Sequence, residues 1–218
     1  MNLTYLITAG PTQESIDPIR YLTNHSSGKM GYALAKAAAK NNSFVILVTG
    51  PTQLKIPNNV ECHKSITAKD MNTIVMREYI RADIFIGVAA VSDYTPKITY
   101  RNKLKKSHNS IILTLEPAVD IIKNVSSLKE PPFLVGFCAE THNIENFAKE
   151  KLRKKKLDLI VANDVSRSDI GFNVDYNSIV VYFNKGKKKF HKASKNKIAE
   201  KLIQFIEKHY DKKYNHRI

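Results

Sequence analysis

Residues 3–31 read LTYLITAGPTQESIDPIRYLTNHSSGKMG, and the fold is decided in this stretch. The apolar run over 3–8 predicts a strand, which Gly10-Pro11-Thr12 ends by turning the chain. A long polar loop follows, and Gly28-Lys29-Met30-Gly31 then opens an alanine-rich helix over 32–40. Strand, loop and helix start in this order put backbone N–H groups, a lysine and the positive end of a helix dipole where an anion would sit. The stretch therefore predicts a phosphate-handling corner in a nucleotide-dependent enzyme.

Two common phosphate motifs are excluded. A Walker A loop has glycine five residues before the glycine of Gly-Lys, and Ser or Thr after the lysine; this chain has Thr23 and Met30 there. A Rossmann fingerprint has closely spaced glycines after its first strand, whereas the glycine following Gly10 is Gly28. Tyr32 and Lys36 copy a dehydrogenase spacing, but on an alanine-rich packing surface we read it as chance.

Further out, apolar runs at 44–49 and 82–90 predict buried strands, with a weaker one at 60–66 and a helix over 68–80. The run at 82–90 is the most apolar, as expected of a central parallel strand covered on both faces. Asp93 follows its tip, where open α/β sheets bind ligands. Residues 96–109 form a basic loop carrying Lys103, Lys105 and Lys106, which we expect to act as a mobile lid over a polyphosphate. Residues 111–115 predict a strand, followed by a helix opening near Glu116-Pro117 and running through Ile122. Strands at 133–138 and 157–162 flank a helix over 143–156. On that helix Lys151 and Lys155 lie within about 20° of Ile144 around the axis, so they project along the apolar stripe towards the sheet. Buried ammonium groups need a partner, so either these two snorkel to water or they meet an anion in a cleft, the reading we favour. A turn at 171–173, a hairpin at 178–183 and 189–192, and a terminal helix over 195–209 complete the chain. The expected fold is α/β: a three-layer, Rossmann-like arrangement with a predominantly parallel sheet and a small C-terminal hairpin. No linker or repeat interrupts it, so 1–218 reads as a single domain.

The 218 residues are 43% hydrophobic and 25% charged, ordinary values for a globular domain with a full core. Cys62 and Cys138 form no metal-binding spacing, which fits a reducing compartment. No signal-like N-terminus and no membrane-length apolar run is visible, and the expected location is the cytoplasm. Of the net charge of +15, residues 185–218 hold twelve Lys/Arg against three Asp/Glu. This is a solvated basic hairpin and helix rather than a nucleic-acid groove, because Phe205 falls in the apolar stripe of Ile198, Leu202 and Ile206.

The blocks ITAGPTQESIDPIRYLTNHSSGKMG, GVAAVSDYTP, KLKK, VGFCAET, AKEKLRKKKLDLIVANDVS and GFNVDYN together resemble the phosphopantothenate–cysteine ligase family, the synthetase half of a bacterial coenzyme A biosynthesis flavoprotein. The resemblance runs in order along nearly the whole chain, thinning over 54–80 and after Phe183. It implies a free-standing ligase, since no flavin-dependent decarboxylase half is present, and a separate decarboxylase as a possible partner. The implied reaction joins 4′-phosphopantothenate to cysteine through an acyl-cytidylate, with CTP giving CMP and pyrophosphate. Carried over position by position, Asn24 would orient the intermediate and Lys103 would meet the α-phosphate. Gly87, Val88 and Ala89 would hold the base, with Asp93 and Phe137 completing the nucleotide pocket. Val119, Asp120, Ile121, Ile122, Lys151 and Lys155 match further nucleotide contacts, although Pro117-Ala118-Val119 departs from the usual Asn-Pro before Asp-Ile. Ser27, Gly28 and Lys29 would receive substrate phosphate. Magnesium is implied for the triphosphate, with Asp93 as its one candidate ligand, and the family implies a homodimer. An ATP-using ligase and an NAD(P)-dependent oxidoreductase are the alternatives.

Overall fold

The computed structural model describes residues 2–106, 110–166, 169–171 and 174–214. Among them, eight strands form one sheet. In chain order its parallel members are β1 (Thr4–Ala9), then, past the small hairpin β2 (Gln13–Ser15) and β3 (Tyr21–Thr23) and helix α1 (Lys29–Lys40), β4 (Phe44–Thr49) and β5 (Glu61–Lys64). Helix α2 (Ala68–Glu78) leads to β6 (Ile84–Gly87), and the short pair β7 (Tyr94–Pro96) and β8 (Leu115–Pro117) precedes α3 (Ile121–Ser126). Then come β9 (Phe133–Glu140), α4 (Ile144–Lys154), β10 (Leu159–Asp164), the hairpin β11 (Tyr176–Phe183) and β12 (Gly186–Ser194), and α5 (Lys195–Tyr214). The spatial order is β12-β11-β10-β9-β6-β1-β4-β5. Neighbours from β10 to β5 are parallel, and β11 and β12 are antiparallel.

Successive side chains of a strand face opposite ways, and here both directions are buried. Tyr5, Ile7, Val45, Leu47, Ile84 and Ile86 pack with α1 and α5. Leu6, Ile46, Val48 and Phe85 pack with α2, α3 and α4 on the other face. That is why the strands read as continuous apolar runs rather than alternating ones. Helix α2 is started locally by a capping box, with Thr67 Oγ1 accepting from the Asp70 N–H and the Asp70 carboxylate accepting from the Thr67 N–H. Much of the C-terminal positive charge lies on edge strand β12, where Lys187, Lys188 and Lys189 are exposed. Lysines along a sheet edge discourage pairing with another chain.

Three expectations are corrected. Residues 111–114 form no strand: Thr114 O accepts one bond from the Lys97 N–H at 3.0 Å, but no ladder runs along Ile111 and Ile112, and Ile112 is 88% exposed. The strand begins only at Leu115, and it pairs with β7 outside the main sheet. Glu116-Pro117 therefore lies in β8 rather than opening a helix. Helix α3 starts at Ile121, with the Asp120 carboxylate accepting from the Lys123 N–H at 3.0 Å as its cap. Finally, the polar loop after β1 is partly ordered as the β2–β3 hairpin. Of the expected loop over 96–109 and turn over 171–173, residues 107–109 and 172–173 lie outside the described residues.

Candidate active site

The site is made by drawing strand tips and one helix start together. Gly28 precedes α1 at φ 76°, a left-handed conformation that glycine adopts without penalty. A Cβ there would stand 3.3 Å from the Gly10 Cα, so the helix start sits directly on the tip of β1. At Gly31 a Cβ would fall 2.5 Å from that of Ala9, so only glycine lets α1 come this near the strand. The β6 tip is tied to the same place, with the Ala90 N–H donating to Gly10 O at 2.9 Å and the Ser92 N–H to Thr12 Oγ1 at 3.0 Å. Asn24 reaches across, donating from Nδ2 to Ala90 O at 3.0 Å.

Two adjoining cavities open at these tips. The first, about 530 Å³, is lined by Asn24, Ser27, Gly28, Lys29 and Val88 on one side and by Glu140, Asn163, Asn177 and Lys195 on the other. The second, about 420 Å³, is lined by Gly87, the Val119-Asp120-Ile121-Ile122 segment and Lys155. Ala89, Val91, Asp93, Phe137 and Lys151 line both, so the two are adjoining chambers, together the cleft. A larger cavity of about 670 Å³ lies outside α1, between it and residues 54–59. It is bounded by no tip of the parallel strands and belongs to the site only through Lys29 and Lys195, which both cavities share.

The cleft is electropositive. The first turn of α1 carries no acidic residue and its start has no side-chain cap, so the positive end of the helix dipole faces the cleft without a carboxylate of its own. Lys29 Nζ pairs with the Asp175 carboxylate at 2.7 Å. Lys155 Nζ pairs with Asp120 at 2.8 Å. Burial pushes the Asp120 carboxyl up, but its hydrogen bonds from Lys155 and the Lys123 N–H, with the nearby Lys151 charge, outweigh that and hold it below the usual range. Cys138 also lines the cleft, and burial pushes its thiol up to about 11 against the opposing pull of Lys151. A thiol that stays protonated is no nucleophile at neutral pH.

Every expected site residue but one lines this cleft, and the exception is Lys103. Lys103 is exposed, in a segment held against the β2–β3 hairpin. Tyr100 N donates to Ile16 O at 2.9 Å, Leu104 N to Asp17 Oδ2 at 3.2 Å, and an Arg20 N–H to Leu104 O at 3.0 Å. Sequence reasoning missed Asn163, Asn177 and Lys195. Asn163 follows the same rule that selected Asp93, since it lies at the carboxyl end of a parallel strand. Its Oδ1 is buried with no hydrogen-bond partner and sits in the cleft wall, where a bound donor would satisfy it. Asn177 and Lys195 carried no comparable signal, because hairpin and helix place them. Among the described residues the one group spaced to hold a metal is Glu61, His63 and Glu78, none of which lines the cleft.

The family described as the DNA/pantothenate metabolism flavoprotein C-terminal domain matches residues 1–210. The chain is 44% identical over 211 residues to the coenzyme A biosynthesis bifunctional protein CoaBC of Haemophilus influenzae, covering 96% of this chain and 52% of that protein. It is 44% identical over 203 residues to the protein of the same name from Bacillus subtilis, covering 92% and 50%. The chain thus spans about half the length of these relatives. A crystal structure of the C-terminal domain of CoaBC superposes with a TM-score of 0.81 at 39% identity, covering 95% of both chains. The DNA/pantothenate metabolism flavoprotein from Streptococcus pneumoniae gives 0.81 at 25% identity, covering 94% of this chain and 99% of that one. A Cab2 mutant in complex with phosphopantothenate-cysteine shares the fold at a TM-score of 0.80, with 15% identity and coverage of 99% and 88%. With a family match over residues 1–210, relatives at 44% identity and the same fold in a solved structure at 39% identity, the chain belongs to the family of DNA/pantothenate metabolism flavoprotein C-terminal domains.

Proposed function

We propose that this chain is a phosphopantothenate–cysteine ligase of coenzyme A biosynthesis. The observation that carries the proposal is the convergence of Asn24, the α1 start, Asp93, Phe137 and Lys151 on one cleft. Relatives at 44% identity bear the name of a coenzyme A biosynthesis protein, which supports the substrate class.

A carboxylate is a poor acyl donor, so amide formation needs it activated. In the first step a carboxylate oxygen of 4′-phosphopantothenate attacks the α-phosphorus of CTP, and the bond to pyrophosphate breaks. In the second, the cysteine amine attacks the acyl carbon, the acyl carbon–oxygen bond breaks, CMP leaves with the bridging oxygen and the bonding electrons, and the nitrogen loses a proton to solvent. The base and ribose occupy the chamber of Gly87, Val119 to Ile122 and Lys155, and the phosphates run past Lys151 towards the α1 N–H groups, Ser27 and Lys29. Cations and N–H donors fixed in advance around the developing charge lower both barriers. Asn24 uses one amide N–H on Ala90 O, and its second N–H is the donor for the acyl oxygen during amine attack. Lys103 reaches the α-phosphate only when the 97–106 segment leaves its place beside Asp17 and Arg20.

Magnesium is expected with the triphosphate. It is held by few protein groups when substrate phosphates supply the rest of its octahedron, and Asp93 in the wall of both chambers fits that part. When bound, it neutralises triphosphate charge. CTP is the leading nucleotide and ATP the alternative. The ligase domain works in a homodimer, in the cytoplasm. Among the described residues, no helix is long and apolar enough to cross a membrane.

The test is release of CMP and pyrophosphate that depends on both 4′-phosphopantothenate and cysteine, with ATP run in parallel. Absence of turnover with both nucleotides refutes the proposal. Lys103→Gln is expected to abolish acyl-cytidylate formation, as read by mass spectrometry of the quenched reaction.

A further inference from the structure

Among the described residues Lys195 is the one buried charged side chain that lines the cleft, and the proposed chemistry does not use it. It opens α5, is only 6% exposed, and lines both the nucleotide cleft and the outer cavity beside α1. Its Nζ donates to the carbonyls of Gly171 at 2.7 Å and Val174 at 2.6 Å. Its backbone N–H donates to the carbonyl of Asp175 at 2.8 Å. One residue therefore grips the carbonyls of Gly171, Val174 and Asp175. Asp175 passes the connection on, because its carboxylate pairs with Lys29 Nζ at 2.7 Å. Lys29 is the first residue of α1, and Gly171 is itself part of the cleft wall.

Burying an ammonium beside a second ammonium costs stability, and a neutral donor would hold a turn at less expense. Such an arrangement marks a site where charge is wanted. Three influences act on the group. Burial is the largest and lowers its affinity for the proton, Lys29 on α1 adds repulsion, and the Asp175 carboxylate opposes both; the outcome is a pKa of about 8.

We propose that Lys195 is the positioning residue for the phosphate end of the nucleotide cleft, holding the carbonyls of Gly171, Val174 and Asp175 so that the Asp175 carboxylate fixes where the Lys29 ammonium stands. Identifying the occupant as a nucleotide triphosphate rests on the ligase reading, but the positioning of Lys29 does not.

The experiment pairs Lys195→Met with Lys195→Arg and reads two quantities. The first is acetylation of Lys29 by acetic anhydride, followed by peptide mass spectrometry, which needs no ligase activity. Lys195→Met is expected to raise Lys29 labelling several-fold while Lys36 and Lys40 stay unchanged, and Lys195→Arg to stay near wild type. Unchanged Lys29 labelling in Lys195→Met overturns the proposal. The second is the KM for CTP, expected to rise on the order of tenfold in Lys195→Met, about the loss of one charge-assisted contact, with kcat within about twofold. In wild type this KM climbs as pH passes about 8 and the ammonium discharges. Arginine stays charged, so the climb is absent in Lys195→Arg. A residue that merely supports the fold would lower the melting temperature and leave this pH profile in place, which also overturns the proposal. If Lys195→Met fails to fold, Asp175→Asn breaks the same chain at a largely exposed carboxylate and must raise Lys29 labelling and KM; no change refutes it. Wild-type protein without turnover on either nucleotide sinks the ligase reading alone, and the labelling then decides on Lys195.

Discussion

Two polar clusters in this molecule use similar residues to opposite ends. At β5 and the end of α2, Glu61, His63, Glu78, Arg77 and Arg81 form a closed network. Arg81 bonds both Glu61 and Glu78, Arg77 bonds Glu78 at 2.7 Å, and His63 bonds Glu61 at 2.8 Å. At the strand tips, Asn163 leaves a buried oxygen unpartnered, Lys151 lines both chambers, and the α1 start is uncapped. Polar groups that satisfy one another hold structure. Polar groups that the fold leaves wanting are where a ligand completes the count. The carboxylates at β5 could in principle hold a cation, but two guanidiniums already neutralise them.

The comparison can be broken by experiment, and the largest effect is expected at Asn24. With Asn24 as the proposed donor for the acyl oxygen, Asn24→Asp replaces it with a negative charge, so product formation should fall on the order of 10²–10³-fold. Acyl-cytidylate should accumulate in the quenched reaction, and the melting temperature should drop slightly with the loss of the bond to Ala90 O. Next comes Lys151→Met, which should raise the KM for the nucleotide on the order of 10- to 100-fold by deleting a charge-assisted phosphate contact. Its stability should hold or improve, because a half-buried ammonium is removed. Glu78→Gln should do the reverse, leaving turnover within about twofold and costing about 1 kcal/mol, since its arginine partners are half-exposed and screened. That corresponds to roughly 2–4 °C in a chain of this size.

Acid should destabilise the fold through the carboxylates that the closed clusters hold ionised. Glu61 and Glu78 are held below the usual carboxylate range, chiefly by hydrogen bonds from Arg81 and Arg77 respectively. Asp17, buried at 3% exposure, is lowered first by its bond from Arg20 and then by the backbone N–H groups of Ile19, Arg20 and Leu104, against the cost of burial. A carboxyl lowered in the folded state contributes stability that is complete above its unfolded pKa of about 4 and disappears as pH falls below it. The melting temperature should therefore be level above about pH 5 and fall steeply below pH 4. The smallest effect concerns Cys138. With its thiol pushed up to about 11, iodoacetamide should label the half-buried Cys62 first at neutral pH and Cys138 very slowly; rapid Cys138 labelling would contradict the buried geometry.

Much of this was legible in the chain before any coordinates. Apolar runs at 3–8, 44–49 and 133–138 are buried parallel strands because both their faces are covered, and Lys151 and Lys155 face the cleft because helical periodicity sends them there. The 111–115 run misled because Ile111 and Ile112 have the composition of a strand but no neighbour to pair with. Strand composition is local, whereas pairing is a property of what lies alongside.

What the sequence by itself determined is the alternation of strands and helices, the glycines that let α1 sit on β1, and the residue types gathered at the strand tips. These follow from backbone sterics and from periodicity, which act between near neighbours along the chain. Only the tertiary structure decided that Asn163, Asn177 and Lys195 share a wall with Asn24, that Glu61 and Glu78 are already neutralised, and that Lys103 stands outside the cleft beside Asp17. Those are contacts between residues tens of positions apart, and their energies exist only once the sheet has set the distances.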